Sequence, residues 1–172
     1  MRCKQSDLFN SRFLSPDAST SLRLLAAPAA LRYIGAMPGL CVCIDLDDLD
    51  DGLAFYTRAL GLSPGRRAGD EWVELLGAPC AVDLLAKPPG TSAFPSRTQA
   101  LRAYERHWTP VHLDFVVEDL DAAVQRAVAA GAKVERGIEE KPWGRTAILA
   151  DPFGHGFCLL EFKGKGYDEV VP

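Results

Sequence analysis

The clearest alternation of apolar and polar positions runs from residue 111 to residue 162. It opens with an apolar run, 111–117, in which side chains two residues apart share one face of a strand, so His112 and Asp114 point the same way. A helix is predicted next, because Asp119 is a suitable N-cap and residues 120–128 repeat apolar side chains every three or four positions. Three further strands are predicted at 132–136, 144–150 and 157–162.

The same order of elements appears earlier in the chain. The segment CVCIDLDDLD at 41–50 aligns with HLDFVVEDLD at 112–121 and places Cys41 opposite His112. Asp48 is the expected N-cap of a helix, and strands are predicted at 63–67, 71–76 and 81–86. The chain therefore contains two βαβββ modules, neither of which can cover its own sheet alone. We predict an α+β fold in which the two modules pair.

The pattern divides the chain into segments of different character. The basic segment 1–36 has five Lys and Arg against two Asp, which is typical of a transit peptide, a disordered extension or a start assigned upstream of Met37. We favour the last two interpretations. The remaining segments are a first module at 37–87, a linker at 88–109, a second module at 110–165 and a tail at 166–172. Within the linker, residues 97–107 are expected to form a short helix.

Composition narrows the function. A net charge of −4 without a basic stripe argues against nucleic acid as a partner. No stretch of 18 apolar residues is present, so we expect no membrane partner. Five cysteines without a CxxC pair indicate reduced thiols and a cytoplasmic location.

Short motifs at matching positions resemble the vicinal oxygen chelate superfamily, which includes glyoxalase I, extradiol dioxygenases and bleomycin-resistance proteins. They are Phe55-Tyr56 and Leu60-Gly61 in the first module and DPFGHG at 151–156 in the second. The resemblance covers residues 37–165. It implies that the modules' mixed sheets curl into a cup with helices outside, and that enzymes of this type hold one divalent metal ion in the cup.

The resemblance also implies a set of metal-ligand positions, which are Cys41, Asp83, His112 and Cys158. Cys41 stands where the superfamily commonly has His or Gln, and Cys158 stands where Glu is common. Glu161 lies three residues beyond, on the opposite strand face. Zinc, nickel, iron or manganese is the implied cofactor, and burial of the cysteines as small apolar side chains is the alternative.

His112 and Asp114 are the candidate catalytic residues, because a paired imidazole and carboxylate form an acid–base dyad. The candidate substrate-binding residues are Asp45, Trp108, Trp143 and Arg145. For Arg145 a salt bridge at the rim is the alternative, and for Trp108 a cap on the core. His155 is interpreted as a solvated turn residue, while His107 and Trp108 could close over the cup.

These residues leave three functions open. The first is a glyoxalase-like lyase or isomerase that moves a proton on a small oxygenated metabolite at His112 and Asp114. The second is a metal-free binding protein of the bleomycin-resistance type. A metal-dependent dioxygenase ranks last, because it requires two histidines and a glutamate. The partner is a small-molecule ligand, and the modules pair within one chain or across a homodimer.

Overall fold

The computed structural model describes residues 40–94, 97–107 and 109–170, without the side chains of 97–99. All of them belong to one compact unit, Pro38–Pro172. The extension at 1–36 and Trp108 lie outside the described residues. The described residues form two α-helices, α1 (Leu49–Leu60) and α2 (Leu120–Ala129), with a short 3-10 helix at Gly166–Glu169, and none of them is long and apolar enough to cross a membrane. The strands are β1 (Cys41–Leu46), β2 (Ser63–Ala68), β3 (Trp72–Leu76), β4 (Ala81–Ala86), β5 (Ser92–Phe94), β6 (Arg97–Leu101), β7 (Leu113–Val116), β8 (Lys133–Lys141), β9 (Gly144–Ala150) and β10 (Gly156–Phe162).

The two predicted modules are present, and the α+β prediction is confirmed. The first forms a four-stranded sheet of order β1-β4-β3-β2, and the second forms one of order β7-β10-β9-β8. In each module the first strand pairs in parallel with the last. Within the described part of the chain the two sheets stay separate, with no ladder between them.

The helix starts follow the sequence closely. The Asp48 carboxylate accepts hydrogen bonds from the backbone N–H groups of Asp50 and Asp51, both at 2.9 Å. Asp119 accepts one from Ala122 at 3.0 Å. These side chains satisfy N–H groups that the first helical turn leaves without a partner, which is why both N-caps could be predicted. Gly61 ends α1 in the left-handed conformation, with φ of 70°.

The helix predicted for residues 97–107 is wrong. β5 and β6 form a two-stranded hairpin there instead. Its ends are held together because Arg102 N donates to Thr91 O and Gly90 N donates to Arg102 O, both at 2.8 Å. The Arg102 guanidinium also reaches the Asp45 carboxylate at 2.8 Å. This contact with β1 fixes the segment in a conformation that local helix propensity does not anticipate.

The two modules share a single hydrophobic core. Buried side chains of α1 and the first sheet belong to the same cluster as those of α2 and the second sheet. Phe55 of α1 meets Phe157 of β10 with ring centroids 6.3 Å apart. Since apolar area is the main favourable term in folding, neither module can be removed without exposing the core face of the other.

Asp151 is the polar residue at the centre of this junction, and only 4% of its surface is exposed. The Tyr56 hydroxyl of α1 donates to its Oδ2 at 2.7 Å. Its Oδ1 accepts from the backbone N–H groups of Phe153 and His155 at 2.9 and 2.8 Å. A buried carboxylate is tolerated only when it has such donors, so the turn before β10 and the helix of the other module are tied together.

We expect Tyr56→Phe to lower the free energy of unfolding by about 1–3 kcal/mol, because the buried Asp151 carboxylate loses one donor. Urea denaturation at pH 7 measures this. Tyr167→Phe is the matched control, since Tyr167 is 48% exposed. Equal stability of the two variants would contradict the role of Tyr56.

Burial, together with the charge of Asp151, raises the pKa of Tyr56 well above its usual value. The stability linked to that hydroxyl is therefore fully present below about pH 10, the usual tyrosine value, and is lost as the pH rises above it. Tyr56→Phe should flatten the alkaline limb of the stability curve, whereas Tyr167→Phe should leave it unchanged.

Candidate functional site

His112 and Asp114 form a hydrogen-bonded pair at the start of β7. Nδ1 of His112 lies 2.8 Å from Oδ1 of Asp114. Because an ionised carboxylate can only accept, Nδ1 carries the proton and a neutral ring presents Nε2 as a base. No hydrogen bond joins that Nε2 to any residue that the structure describes. The His112 side chain is 58% exposed, so a ligand can reach it.

Cys158 of β10 completes this group. Its Sγ lies 3.9 Å from Nδ1 of His112. Burial, followed by the charge of Asp114 and a hydrogen bond to it, raises the pKa of the Cys158 thiol to about 11. At neutral pH the sulfur therefore carries its proton and is a poor nucleophile.

The first module has an equivalent group without a histidine. Sγ of Cys41 donates to Oδ2 of Asp83 on the neighbouring strand β4, at 3.2 Å. Loss of water around the thiol, with the hydrogen bond and charge of Asp83 and a smaller effect of Cys43, raises the pKa of Cys41 to about 12. The two modules thus present the same pairing of a thiol with a carboxylate.

The predicted metal ligands divide between these two groups. Cys41, Cys43 and Asp83 form one set of three donors, and His112, Asp114 and Cys158 form the other, with the ligand atoms of each set within 4.8 Å of one another. Among the described residues, Cys41 and Asp83 lie in one group and His112 and Cys158 in the other, so the four predicted ligands do not form a single metal site. Thiolate and imidazole suit zinc better than manganese, so the donor type of the second set fits zinc once its thiol is deprotonated.

A cleft of about 200 Å³ lies between the modules, with β1 on one side and residues around β7 and the start of β10 on the other. Apolar side chains form much of its wall. They are Val42, Ile44, Leu113, Phe115 and Phe157. A second cavity of about 160 Å³ shares His112 with the cleft and extends towards Cys158. His112 therefore borders both spaces.

Two further histidines line the cleft. The sequence indicated that His107 lies near the cup, but it did not indicate the pairing of His107 with His155. His107 and His155 are in contact, with Nε2 of His107 3.1 Å from Nδ1 of His155. His155 is thus held by a specific partner, whereas the sequence indicated a solvated turn residue. The signal available was that His112 and His155 each directly precede a strand, and the structure shows that all three histidines line this one cleft.

Of the predicted substrate-binding residues, Asp45 lies at the cleft, whereas Arg145 is held in ion pairs elsewhere on the second sheet. Asp45 lines the cleft and binds Arg102. Arg145 is held by Glu161 at 2.6 Å and by Asp121 at 2.8 Å, which is the ion pair considered as its alternative. The Glu161 carboxylate also accepts from the backbone N–H of Leu120, so this network lies on the α2 side of the sheet.

Trp143 lies away from the cleft lining. Its ring contacts Phe162 and Tyr167, with centroids 5.9 and 5.2 Å away. These contacts give it a packing role at the end of the second module. Trp108, the remaining candidate, falls outside the described residues.

We expect Asp114→Asn to speed alkylation of Cys158 by iodoacetamide by roughly three- to tenfold at pH 8.5, because removing the carboxylate charge lowers the thiol pKa. Asp83→Asn should do the same for Cys41 and leave Cys158 unchanged, so each variant is the control for the other. Mass spectrometry of the modified peptides measures both rates. Unchanged rates in both variants would contradict the role of the carboxylates.

Comparison with known proteins agrees with the fold and the module repeat. Residues 41–160 match the family model of the glyoxalase-like domain. The anthracycline biosynthesis protein DauV of Streptomyces sp. (strain C5) is 34% identical over 136 residues, which cover 76% of this chain and 44% of that protein. The putative glyoxylase CFP32 of Mycobacterium bovis is 31% identical over 142 residues, covering 77% and 49%.

This chain spans less than half the length of those two relatives. Among solved structures, a point mutant of the fosfomycin resistance protein FosX from Listeria monocytogenes superposes with a TM-score of 0.57 at 19% identity, covering 78% of this chain and 97% of FosX. That likeness shows the fold. The family model extends over more than half of the chain. The chain therefore belongs to the glyoxalase-like family, within the vicinal oxygen chelate superfamily that its motifs resemble.

Proposed function

We propose that this chain is a glyoxalase-like enzyme that transfers a proton on a small oxygenated substrate, with His112 as the general base. The 2.8 Å hydrogen bond from His112 to Asp114 at the cleft carries this proposal. It fixes the tautomer that leaves Nε2 ready to accept a proton, and Asp114 stabilises the imidazolium that results. Asp114 thus acts as a positioning residue.

The proposed reaction is a proton shift next to a carbonyl group. Nε2 of His112 removes a proton from the carbon beside the carbonyl, and the electron pair of that C–H bond moves to the carbonyl oxygen as an enolate. In a substrate that carries a hydroxyl group on that carbon, the enolate is an enediolate. The imidazolium then returns the proton to the former carbonyl carbon, the hydroxyl proton passes to the former carbonyl oxygen, and the hydroxyl oxygen becomes the new carbonyl, which completes an isomerisation. Proton transfer by a positioned side chain of this kind contributes roughly 10²- to 10⁴-fold to the rate.

Cleft size and lining support a small, partly apolar substrate. A volume of about 200 Å³ is below the range of about 300–1,000 Å³ that is typical for drug-sized ligands. DauV is named for anthracycline biosynthesis. A molecule with one or two rings, or an acyclic oxo compound, suits this cleft better than an intact anthracycline with its four fused rings.

A metal ion is not required by the proposed proton transfer. FosX in the structure compared above is complexed with Mn(II) and 1S,2S-dihydroxypropylphosphonic acid. Manganese favours oxygen ligands such as carboxylates, whereas each donor set here includes a thiol with a raised pKa. Zinc is the ion that His112, Asp114 and Cys158 would hold, and when bound it would polarise a substrate oxygen.

A metal-free binding protein of the bleomycin-resistance type is the second candidate. The apolar wall of the cleft favours it, because apolar lining gives affinity without chemistry. The two candidates differ in what His112 does. In an enzyme, loss of its imidazole greatly lowers turnover and leaves much of the affinity for the ligand. In a binding protein the wild type has no turnover.

We expect the wild-type chain to catalyse exchange of α-carbonyl protons with D₂O in a panel of small oxo compounds, followed by NMR. His112→Gln should lower that rate about 10²-fold or more, and Asp114→Asn should lower it less. Asp70→Asn, at a residue 98% exposed in the β2–β3 turn, is the matched control. Binding without exchange in the wild type would favour the second candidate. Elemental analysis of the same samples separates zinc-dependent from metal-free exchange.

We further propose that two copies associate. Val111 and Val116, at either end of β7, are 72% and 60% exposed, and the two sheets of one chain stay unpaired along their first strands. A second copy covering this edge would place the donor set Cys41, Cys43 and Asp83 of one copy beside the set His112, Asp114 and Cys158 of the other. Gel filtration with light scattering should give about twice the chain mass of 18.7 kDa. A single species at the monomer mass would contradict the homodimer.

A further inference from the structure

His107 and His155 belong to an unbroken row of hydrogen bonds along one wall of the cleft. Nε2 of His155 lies 2.8 Å from the carbonyl oxygen of Asp45. Its Nδ1 lies 3.1 Å from Nε2 of His107. Nδ1 of His107 lies 3.0 Å from the carbonyl oxygen of Glu105. The row therefore begins and ends on carbonyl oxygens, and four ring nitrogens share three hydrogen bonds.

The partners along this row determine how many hydrogens its three hydrogen bonds need. A carbonyl oxygen only accepts, so Nε2 of His155 and Nδ1 of His107 must each carry a hydrogen. The central bond needs one more hydrogen, on either ring. Two neutral imidazoles hold two hydrogens in total, so all three bonds exist together only when the pair holds a third. The three contacts therefore fit two imidazoles that share one additional hydrogen.

Loss of the third hydrogen would set two nitrogen lone pairs against each other at 3.1 Å. The rings would then separate, or one ring would give up its carbonyl. Either change alters the wall of the cleft, because both rings line it.

The pair joins the linker to the turn before β10. Besides the ring contact, the His107 N–H donates to Gly154 O at 3.3 Å, and Nη1 of Arg106 donates to the same carbonyl at 3.5 Å and to His107 O. Arg106 also pairs with Glu135 at 2.5 Å. The two bonds to Gly154 O are long, and the ion pair joins partly exposed side chains and contributes little. At Gly154, with φ of 88°, an added Cβ would strike the Glu105 backbone, so the linker lies directly on this turn.

Charged and titratable groups surround the pair from every element packed against it. The carboxylates of Asp45 and Asp151 favour the extra proton, whereas Arg102 and Arg106 oppose it. Glu105 is exposed and meets the pair through its backbone carbonyl. Asp45 and Arg102 neutralise each other at 2.8 Å, and Arg106 is paired with Glu135. Asp151 binds the backbone N–H of His155 from the buried side. The other titratable groups lining the adjoining space are Cys43, Tyr56, Tyr104 and His112.

We propose that His107 and His155 form a proton-dependent latch that holds residues 105–107 of the linker against the cleft when the pair carries its shared proton and releases them when the proton is lost. The chemistry is that of two imidazoles bridged by one hydrogen. The latch itself is independent of the proposed reaction. Its effect on ligand entry rests on the cleft being the ligand site.

The test uses the full chain, free of ligand and in EDTA, labelled with ¹⁵N. Long-range ¹H–¹⁵N spectra count the protonated ring nitrogens between pH 5 and 9, and His112→Gln identifies the signals of the third histidine. We expect three hydrogens on the two rings at low pH and a coupled loss of one of them. Two rings that titrate independently would overturn the proposal.

Amide hydrogen exchange at residue 107 then measures the latch. We expect its protection factor, corrected for the intrinsic pH dependence of exchange, to fall roughly tenfold or more as the shared hydrogen is lost. His107→Gln keeps one donor and one acceptor but no titrating ring, so its protection should be independent of pH. His112→Gln should retain the wild-type step.

A pH step that persists in His107→Gln would overturn the latch. So would protection that appears only when zinc is added, because two imidazole nitrogens can also share a metal ion. None of these measurements involves turnover, so failure of the latch and failure of the proposed function give different results. If both hold, ligand association should speed up at higher pH in the wild type and not in His107→Gln.

Discussion

The buried carboxylate of Asp151 is the constraint on which the junction of the two modules depends. Removing an ionised group from water is costly, and the cost is offset here by one side-chain hydroxyl and two backbone N–H groups. Those donors determine where α1 of the first module sits relative to the turn before β10. The same turn aims the His155 ring at the carbonyl of Asp45 on β1. The position of the cleft wall therefore follows from satisfying one charge in the core.

Local signals made the architecture predictable. Asp48 and Asp119 are N-caps that bind backbone N–H groups no more than three residues away. The sequence repeat predicted the same strand order in both modules, and the structure contains that order twice. The pairing of His112 with Asp114 also follows from strand alternation over two residues. Contacts between distant residues could not be foreseen in this way. Arg102 meets Asp45 across 57 positions and His155 meets His107 across 48, and no spacing rule connects such pairs.

The two halves of the repeat have diverged around a shared chemical feature. Each retains a thiol beside a carboxylate, as Cys41 with Asp83 and Cys158 with Asp114. In both places the negative charge favours the protonated thiol, so neither sulfur is prepared for nucleophilic attack. Only the second module adds an imidazole to the donor sets seen in the described residues. The side chains on which the proposed reaction depends therefore lie in the second module, and β1 of the first module forms the other side of the cleft.

The parallel pairing of the first and last strands has a consequence for the order of folding during synthesis. Cys41 lies opposite Ala81, and Leu113 lies opposite Phe157, so each module closes its sheet only after nearly all of its residues have left the ribosome. The local hairpins β2–β3 and β3–β4 can form earlier, because their partners are adjacent in the chain. The hydrogen bond from Tyr56 to Asp151 can form only later, because Asp151 lies 95 residues further along the chain. A nascent first module therefore stays incompletely covered until the second is made, and this interval is when the chain most needs protection from aggregation.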